Sequence, residues 1–283
     1  MYADDDWTQG NWFALRDGEL APFDGGQARL RVIDVGELVL RSGDLGACDP
    51  FVALEHCPVW AQVPAGSYPV RLSIADVSEH ADGSHDRHAY LTLLVDADAE
   101  EHTRRCLGKA DAGFGVDTGS ACFVDASAIS EGMPDPEQWF EGLFEAQGGW
   151  FSRMDDPAHV APGVANIELP VSNVGANVVV VRSGWGDGVY PVVGGYDADG
   201  RLVRVHLDFY VVGGPEPEVV VGPAVPVHEP RPNAALGVWL AVIAPWFVVA
   251  LGLELGPEVT SMGGLALTAA VFVVLWKAGW VKA

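Results

Sequence analysis

Positive charge is what this sequence has least of. Sixteen lysines and arginines stand against 39 aspartates and glutamates, a net charge of −23, and such a chain opposes a phosphate backbone instead of displacing its counterions. Nucleic-acid binding is not expected on that ground. Cysteine is also scarce: Cys48, Cys57, Cys106 and Cys122 are the four present, no two in tight C-x-x-C spacing, and reduced thiols in a cytosolic compartment are expected. The basic-then-apolar order of a secretory leader is missing, since Asp4, Asp5 and Asp6 stand where basic residues would be needed. Charged residues reach only 19% of the chain while apolar residues reach 49%, so part of it is expected in lipid. Glycine (34) and proline (19) are frequent but short of the ~25–30% that marks low complexity, which excludes collagen-like and wholly disordered chains. At ~150 residues per domain the length predicts roughly two units.

What is present sorts into three parts. Ala234 to Leu253 runs without a charge, long enough at ~1.5 Å per residue to cross a ~30 Å hydrocarbon core, with a kink expected at Pro245. After Glu254 to Glu258, Val259 to Trp276 supplies a second apolar run. Together they predict a two-helix transmembrane hairpin (234–253 and 259–276), with the lipid bilayer as partner. Arg231 precedes it, Lys277 and Lys282 follow it in the 277–283 tail, and the connecting loop has no Lys or Arg. The positive-inside rule then predicts both termini on the cytoplasmic side of a bacterial plasma membrane. Residues 213–233 contain six prolines and read as a semi-stiff linker, up to ~65 Å long if fully extended. Residues 1–230 hold 13 basic and 37 acidic side chains, a net −24, so an anionic leaflet would repel this head.

Residues 27–212, after an N-terminal extension 1–26, read mostly as strands. Val203, Val205, Leu207 and Phe209 alternate with Arg204, His206 and Asp208, the period-two pattern of a strand with one buried face. Tyr190 to Tyr196 joins it through Asp197-Ala198-Asp199-Gly200, and Asn177 to Arg182 joins Tyr190 through a Gly-Trp-Gly-Asp-Gly turn, which predicts a three-stranded meander. Similar runs lie at 28–40, 68–77 and 89–95. One helix is expected where Asp135 (N-cap), Pro136 and Glu137 precede Trp139, Phe140, Leu143 and Phe144 on one core-facing side. The fold class is therefore mainly β, an antiparallel sandwich or open barrel with a minor helix.

Familiar chemistry is sparse. Asp117-Thr118-Gly119-Ser120 spells the aspartic-protease string, but that reaction needs two carboxylates sharing a proton and no second D-[TS]-G occurs. A turn braced by Asp117 is the plainer reading. His80, His85 and His88 match no tight ligand spacing, and residues 78–88 read as a solvated loop. No metal site or cofactor is assigned. Asp197-x-Asp199-Gly200 opens like a calcium loop without the distal ligands, and a hairpin turn accounts for it. Cys122 is expected as a core thiol. The most unusual peptide is Ser183-Gly184-Trp185-Gly186-Asp187-Gly188-Val189-Tyr190-Pro191, which places an aromatic beside a carboxylate in a glycine-rich loop.

Asp49-Pro50-Phe51, Pro64 to Val70, Gly115 to Asp125, and Ser183 to Pro191 followed by Asp208-Phe209 resemble the ordered motifs of the bacterial domain of unknown function 4241 family, over about residues 38–212. The chain departs from that pattern at Thr118, Ser120 and Ala121, where the family reads closer to D-A-G-T-G-C. The resemblance implies a variant of a non-protease motif and fixes neither substrate nor reaction. If the motif loops converge, Asp117, Asp125 and Asp187 with Trp185 and Tyr190 would line one binding pocket. The leading expectation is an acidic, membrane-anchored binding or interaction domain, immunity-like or regulatory, whose charge suits a basic protein partner. The alternative is a hydrolase or metal-dependent enzyme using those three aspartates.

Overall fold

A computed structural model describes residues 11–108, 113–171 and 175–213. Among the described residues every strand pairing is antiparallel. With strands numbered along the chain, the larger sheet runs in the order β1 (Leu20–Phe23), β2 (Gly26–Leu40), β5 (Gly66–Asp76), β6 (Asp86–Leu94), β14 (Leu202–Asp208), β13 (Val192–Tyr196), β7 (Thr103–Cys106), and it curls into a half barrel. The second sheet has the order β10 (Val164–Glu168), β11 (Asn177–Arg182), β9 (Ser120–Asp125), β3 (Asp44–Cys48), β4 (Val59–Gln62). A two-stranded ribbon pairs β12 (Gly188–Tyr190) with β8 (Phe114–Val116).

The sequence of the second sheet explains its place. β9 and β11 are continuous apolar runs, Ala121 to Val124 and Val178 to Val181, because both faces are covered. Ala121, Phe123, Val179 and Val181 join a core with Leu30, Leu38, Leu72, Leu91 and Leu207 of the larger sheet. Cys122, Val124, Val178 and Val180 face the other way, against Ile129, Met133, Trp139, Phe144, Trp150 and Met154 of the helical segment 126–155. Each fully buried aliphatic side chain is worth about 1.5–3 kcal/mol. The sheets are also laced by amides: Asn177 accepts from Val39 N at 2.8 Å and donates to Glu37 O at 2.7 Å, where a bulge opens β2 between Asp34 and Glu37.

Several expectations need correction. β13 and β14 do form a hairpin, but β11 does not complete a meander with them: it lies in the other sheet, between β10 and β9. The Ser183 to Asp187 loop is therefore a crossover between sheets, because β11 is apolar on both sides and needs a site covered on both. β14 is not half-buried. His206 and Asp208 are buried as well, since the segment before β1 covers the polar face: the Trp12 ring lies 4.9 Å from Tyr90 and 5.0 Å from His206. Residues 11–26, placed by the sequence in an extension, thus supply Trp12, Phe13, Ala14 and Ala21 to the core.

The expected helix is a 3₁₀ turn, Pro136–Gln138, capped by the Asp135 carboxylate on Glu137 N at 3.1 Å, followed by a single π turn, Phe140–Phe144. In a π turn residues five apart share a face. Trp139 and Phe144 therefore meet, ring centroids 6.3 Å apart, while Phe140 swings out and is 56% exposed. Among the described residues no helix is long and apolar enough to cross a membrane. The linker, the hairpin at 234–253 and 259–276, and the tail lie outside the described residues.

Candidate functional site

Asp49 directly follows β3 and is fully buried. Its carboxylate accepts from Asp117 N and Thr118 N, both at 2.9 Å, from the Thr118 hydroxyl at 2.8 Å, and from Phe51 N at 3.0 Å. A buried charge survives only when its acceptor capacity is filled in this way. Asp49 is thus the post on which the 117–119 turn hangs, and Asp117 itself turns its side chain to solvent.

Gly119 joins that turn to the crossover loop. Its backbone N–H donates to Asp187 Oδ1 at 3.0 Å, and its carbonyl accepts from Ser183 N at 3.0 Å. With φ at +63° it occupies the left-handed region that favours glycine. Inside the crossover loop, the Tyr190 hydroxyl donates toward Ser183 O (3.0 Å) and Gly186 O (2.7 Å), and Ser183 Oγ donates to Gly186 O at 2.8 Å. Tyr190 is buried and stacks edge-on against Phe209 at 5.4 Å. Its ring is a floor for the loop.

What the loop lifts into water is Trp185, 52% exposed. The Arg87 guanidinium lies over its ring at 4.8 Å, and His85 meets it edge-on at 6.3 Å. Arg87 also donates to His85 Nε2 at 2.8 Å, fixing both groups beside the indole. Val189, on the adjoining ribbon, is 63% exposed. The loop is anchored beneath by Asp208-Phe209-Tyr210, where Tyr210 holds φ at +54° while its N–H donates to Asp208 Oδ1 at 2.9 Å. Burial pushes the Asp208 carboxyl up to about 7.

The structure therefore brings Asp117, Trp185, Asp187 and Tyr190 into one assembly of loops but leaves Asp125 out. Asp125 closes β9 at the end opposite Ser120, about 17 Å away at ~3.3 Å per residue. There it accepts from Ser42 N at 2.8 Å and pins the turn before β3. The motif around Pro64 to Val70 is likewise elsewhere, at the start of β5. With Asp125 at the far end of β9, the three aspartates do not come together in one cluster. Among the described residues no group of three or more His, Cys, Asp or Glu is placed to hold a metal ion. The three sequence histidines separate: His88 is buried against Arg182 O at 3.2 Å, His85 attends Trp185, and His80 is exposed. Asp197 accepts from Asp199 N and Arg201 N in the β13–β14 turn.

The residues that carry these loops are Asp49, Gly119, Trp185, Asp187, Tyr190 and Asp208, and the family model for proteins of unknown function designated DUF4241 matches residues 38–207. The chain belongs to that family. No curated protein and no solved structure matches it. Within the matched span, Asp49, the 117–119 turn and the 183–190 loop form one loop scaffold, with Asp49 at its centre. Sequence reading missed Asp49 and Arg87 as site residues: an Asp-Pro-Phe string marks a turn, and nothing local says that its carboxylate serves residues 117 and 118.

Proposed function

We propose that this protein is a binding domain that captures a basic protein partner on the surface built by the 117–119 turn and the 183–190 loop, and that the apolar segments 234–253 and 259–276 tether it to the membrane. One observation carries the reading: the buried Asp49 carboxylate is filled by donors of the 117–118 turn, Asp187 accepts from the Gly119 N–H, and the loop they brace holds Trp185 half in water beside Arg87. A half-exposed Trp on a fixed loop is the side chain from which interfaces draw most of their energy. Val189 extends the apolar contact, and the acidic balance of the whole chain steers a cationic partner toward it.

Support for the tether is the length and charge pattern of the two apolar runs. The test uses the full chain recovered from alkali-washed membranes in detergent. Trp185→Ala is expected to weaken retention of a basic partner by about tenfold or more, with the unfolding midpoint unchanged, and raised salt is expected to slow association. A partner held equally well by Trp185→Ala, or a full chain released by the alkaline wash, defeats the corresponding half of the reading.

A further inference from the structure

Cys48 and Cys122 are register partners across β3 and β9. Their sulfurs stand 3.7 Å apart, and both residues are buried on the face of the sheet that packs against the helical segment. Directly opposed residues in an antiparallel pair have Cα atoms ~4.5–5.5 Å apart, inside the ~4.4–6.8 Å that a disulfide spans. Closing the remaining gap to a ~2.05 Å bond needs side-chain rotation and no change of strand register. The pair is set to bond but rests as thiols.

A third thiol lies beside them. Cys57 follows the short 3₁₀ turn Leu54–His56 and is only partly buried. Its sulfur occupies the space over Gly46, where an added Cβ would stand 2.7 Å from it. Gly46 and Cys48 are two apart on one strand and so share a face. The missing side chain at Gly46 is what lets the Cys57 sulfur lie next to the pair. The neighbouring thiols and burial raise the Cys48 thiol, and burial raises that of Cys122, so neither interior sulfur offers much thiolate to an oxidant directly.

We infer that Cys57, Cys48 and Cys122 form a hydroperoxide-responsive relay that admits oxidation at the surface and stores it as a cross-strand Cys48–Cys122 disulfide. The Cys57 thiolate attacks one peroxide oxygen, giving a sulfenic acid and releasing hydroxide. The Cys48 thiol displaces that oxygen as water, forming a Cys48–Cys57 disulfide. Cys122 then attacks the Cys48 sulfur, and the Cys57 thiol leaves carrying the proton. With hydrogen peroxide, the released hydroxide takes up the proton that Cys57 gave up on ionising, so one peroxide becomes two waters and two thiols become one disulfide. The bond joins β3 one residue before Asp49 to β9 two residues after Ser120, so it ties together the two strands that carry the 117–119 turn and its post. This chemistry does not depend on what Trp185 contacts.

The test treats the reduced full chain with hydrogen peroxide, then maps thiols under denaturing, non-reducing conditions by mass spectrometry. The expected product has two of its four thiols lost and a Cys48–Cys122 linked peptide pair that dithiothreitol reverses. Cys57→Ser should slow its formation by about tenfold or more, and Cys106→Ser should leave the rate unchanged. Because Cys57 is at the surface, folding of Cys57→Ser is checked by an unchanged unfolding midpoint, and Cys57→Ala serves as a second variant. Absence of the 48–122 link, its formation at the original rate without Cys57, or Cys57 ending as sulfinic acid overturns the relay.

Discussion

Asp49 shows how much one buried carboxylate can decide. It is the common acceptor for donors from residues 51, 117 and 118, so truncation removes the acceptor of three backbone N–H groups at once. Hydrogen bonds to a charged group are worth about 1.5–3 kcal/mol, and an orphaned buried donor costs about 1–3. Asp49→Ala is accordingly expected to destabilise the domain by about 3–5 kcal/mol, while Asp49→Asn, which keeps one acceptor oxygen, should recover part of the loss. Denaturant midpoints of the two variants check this. Equal stability of Asp49→Ala and the parent chain would refute the post. Asp187 and Tyr190 act in the same way, as acceptor and floor for glycine-rich backbone, and Trp185 is what remains free for contact.

At the scale of elements, the 183–190 crossover is held by backbone proximity. Gly184 has φ at +55°, and a Cβ there would meet the Phe209 carbonyl oxygen and the Val211 side chain, each at 2.8 Å. Neither the strand end nor the neighbouring turn can give way cheaply. Gly184→Ala is expected to cost about 2–4 kcal/mol from dihedral strain and overpacking together. It should also shift Trp185, read as a changed emission maximum in native buffer against a Gly115→Ala control, where a Cβ meets nothing. The strands over 26–40, 66–76, 86–94 and 202–208 were legible because their apolar residues sit in unbroken or alternating runs. The helix was misread for a physical reason: Pro136 and the aromatic run suit any helical winding, and the π turn is set by which rings fit beneath the second sheet.

At the scale of the molecule, buried ionisable groups set opposing responses to pH. Asp208 is held up to about 7 by burial, so the fold binds its proton more tightly than the unfolded chain does. Its contribution is full below about pH 4 and is lost as pH rises toward 7. Burial holds His88 down to about 4, and stability from that neutral ring is lost as pH falls from about 6.5 toward 4. The two slopes offset. For Glu101 burial favours the neutral acid, but the His206 hydrogen bond and the Arg104 and Arg204 charges outweigh it and hold the carboxylate down to about 2; its contribution is lost only below about pH 4.5. Asp208→Asn keeps the acceptor for Tyr210 and removes one slope. It is expected to match the parent near pH 4 and to exceed it by up to about 4 kcal/mol above pH 7. Denaturant titrations of both proteins across this range decide it, and a constant difference would contradict the burial of a charged Asp208.

The sequence by itself determined the antiparallel β class, the 197–200 hairpin turn, the acidic balance and the ordered motifs, since each is written in local periodicity, turn chemistry or composition. Tertiary structure alone decided which sheet β11 joins, that Asp125 stands apart from Asp117 and Asp187, and that Cys48 faces Cys122. A local pattern specifies how a residue turns its side chain, inward or outward, but not which distant strand supplies its neighbour. That choice is made by burying two apolar faces of one sheet at once, an energy shared by residues more than fifty positions apart.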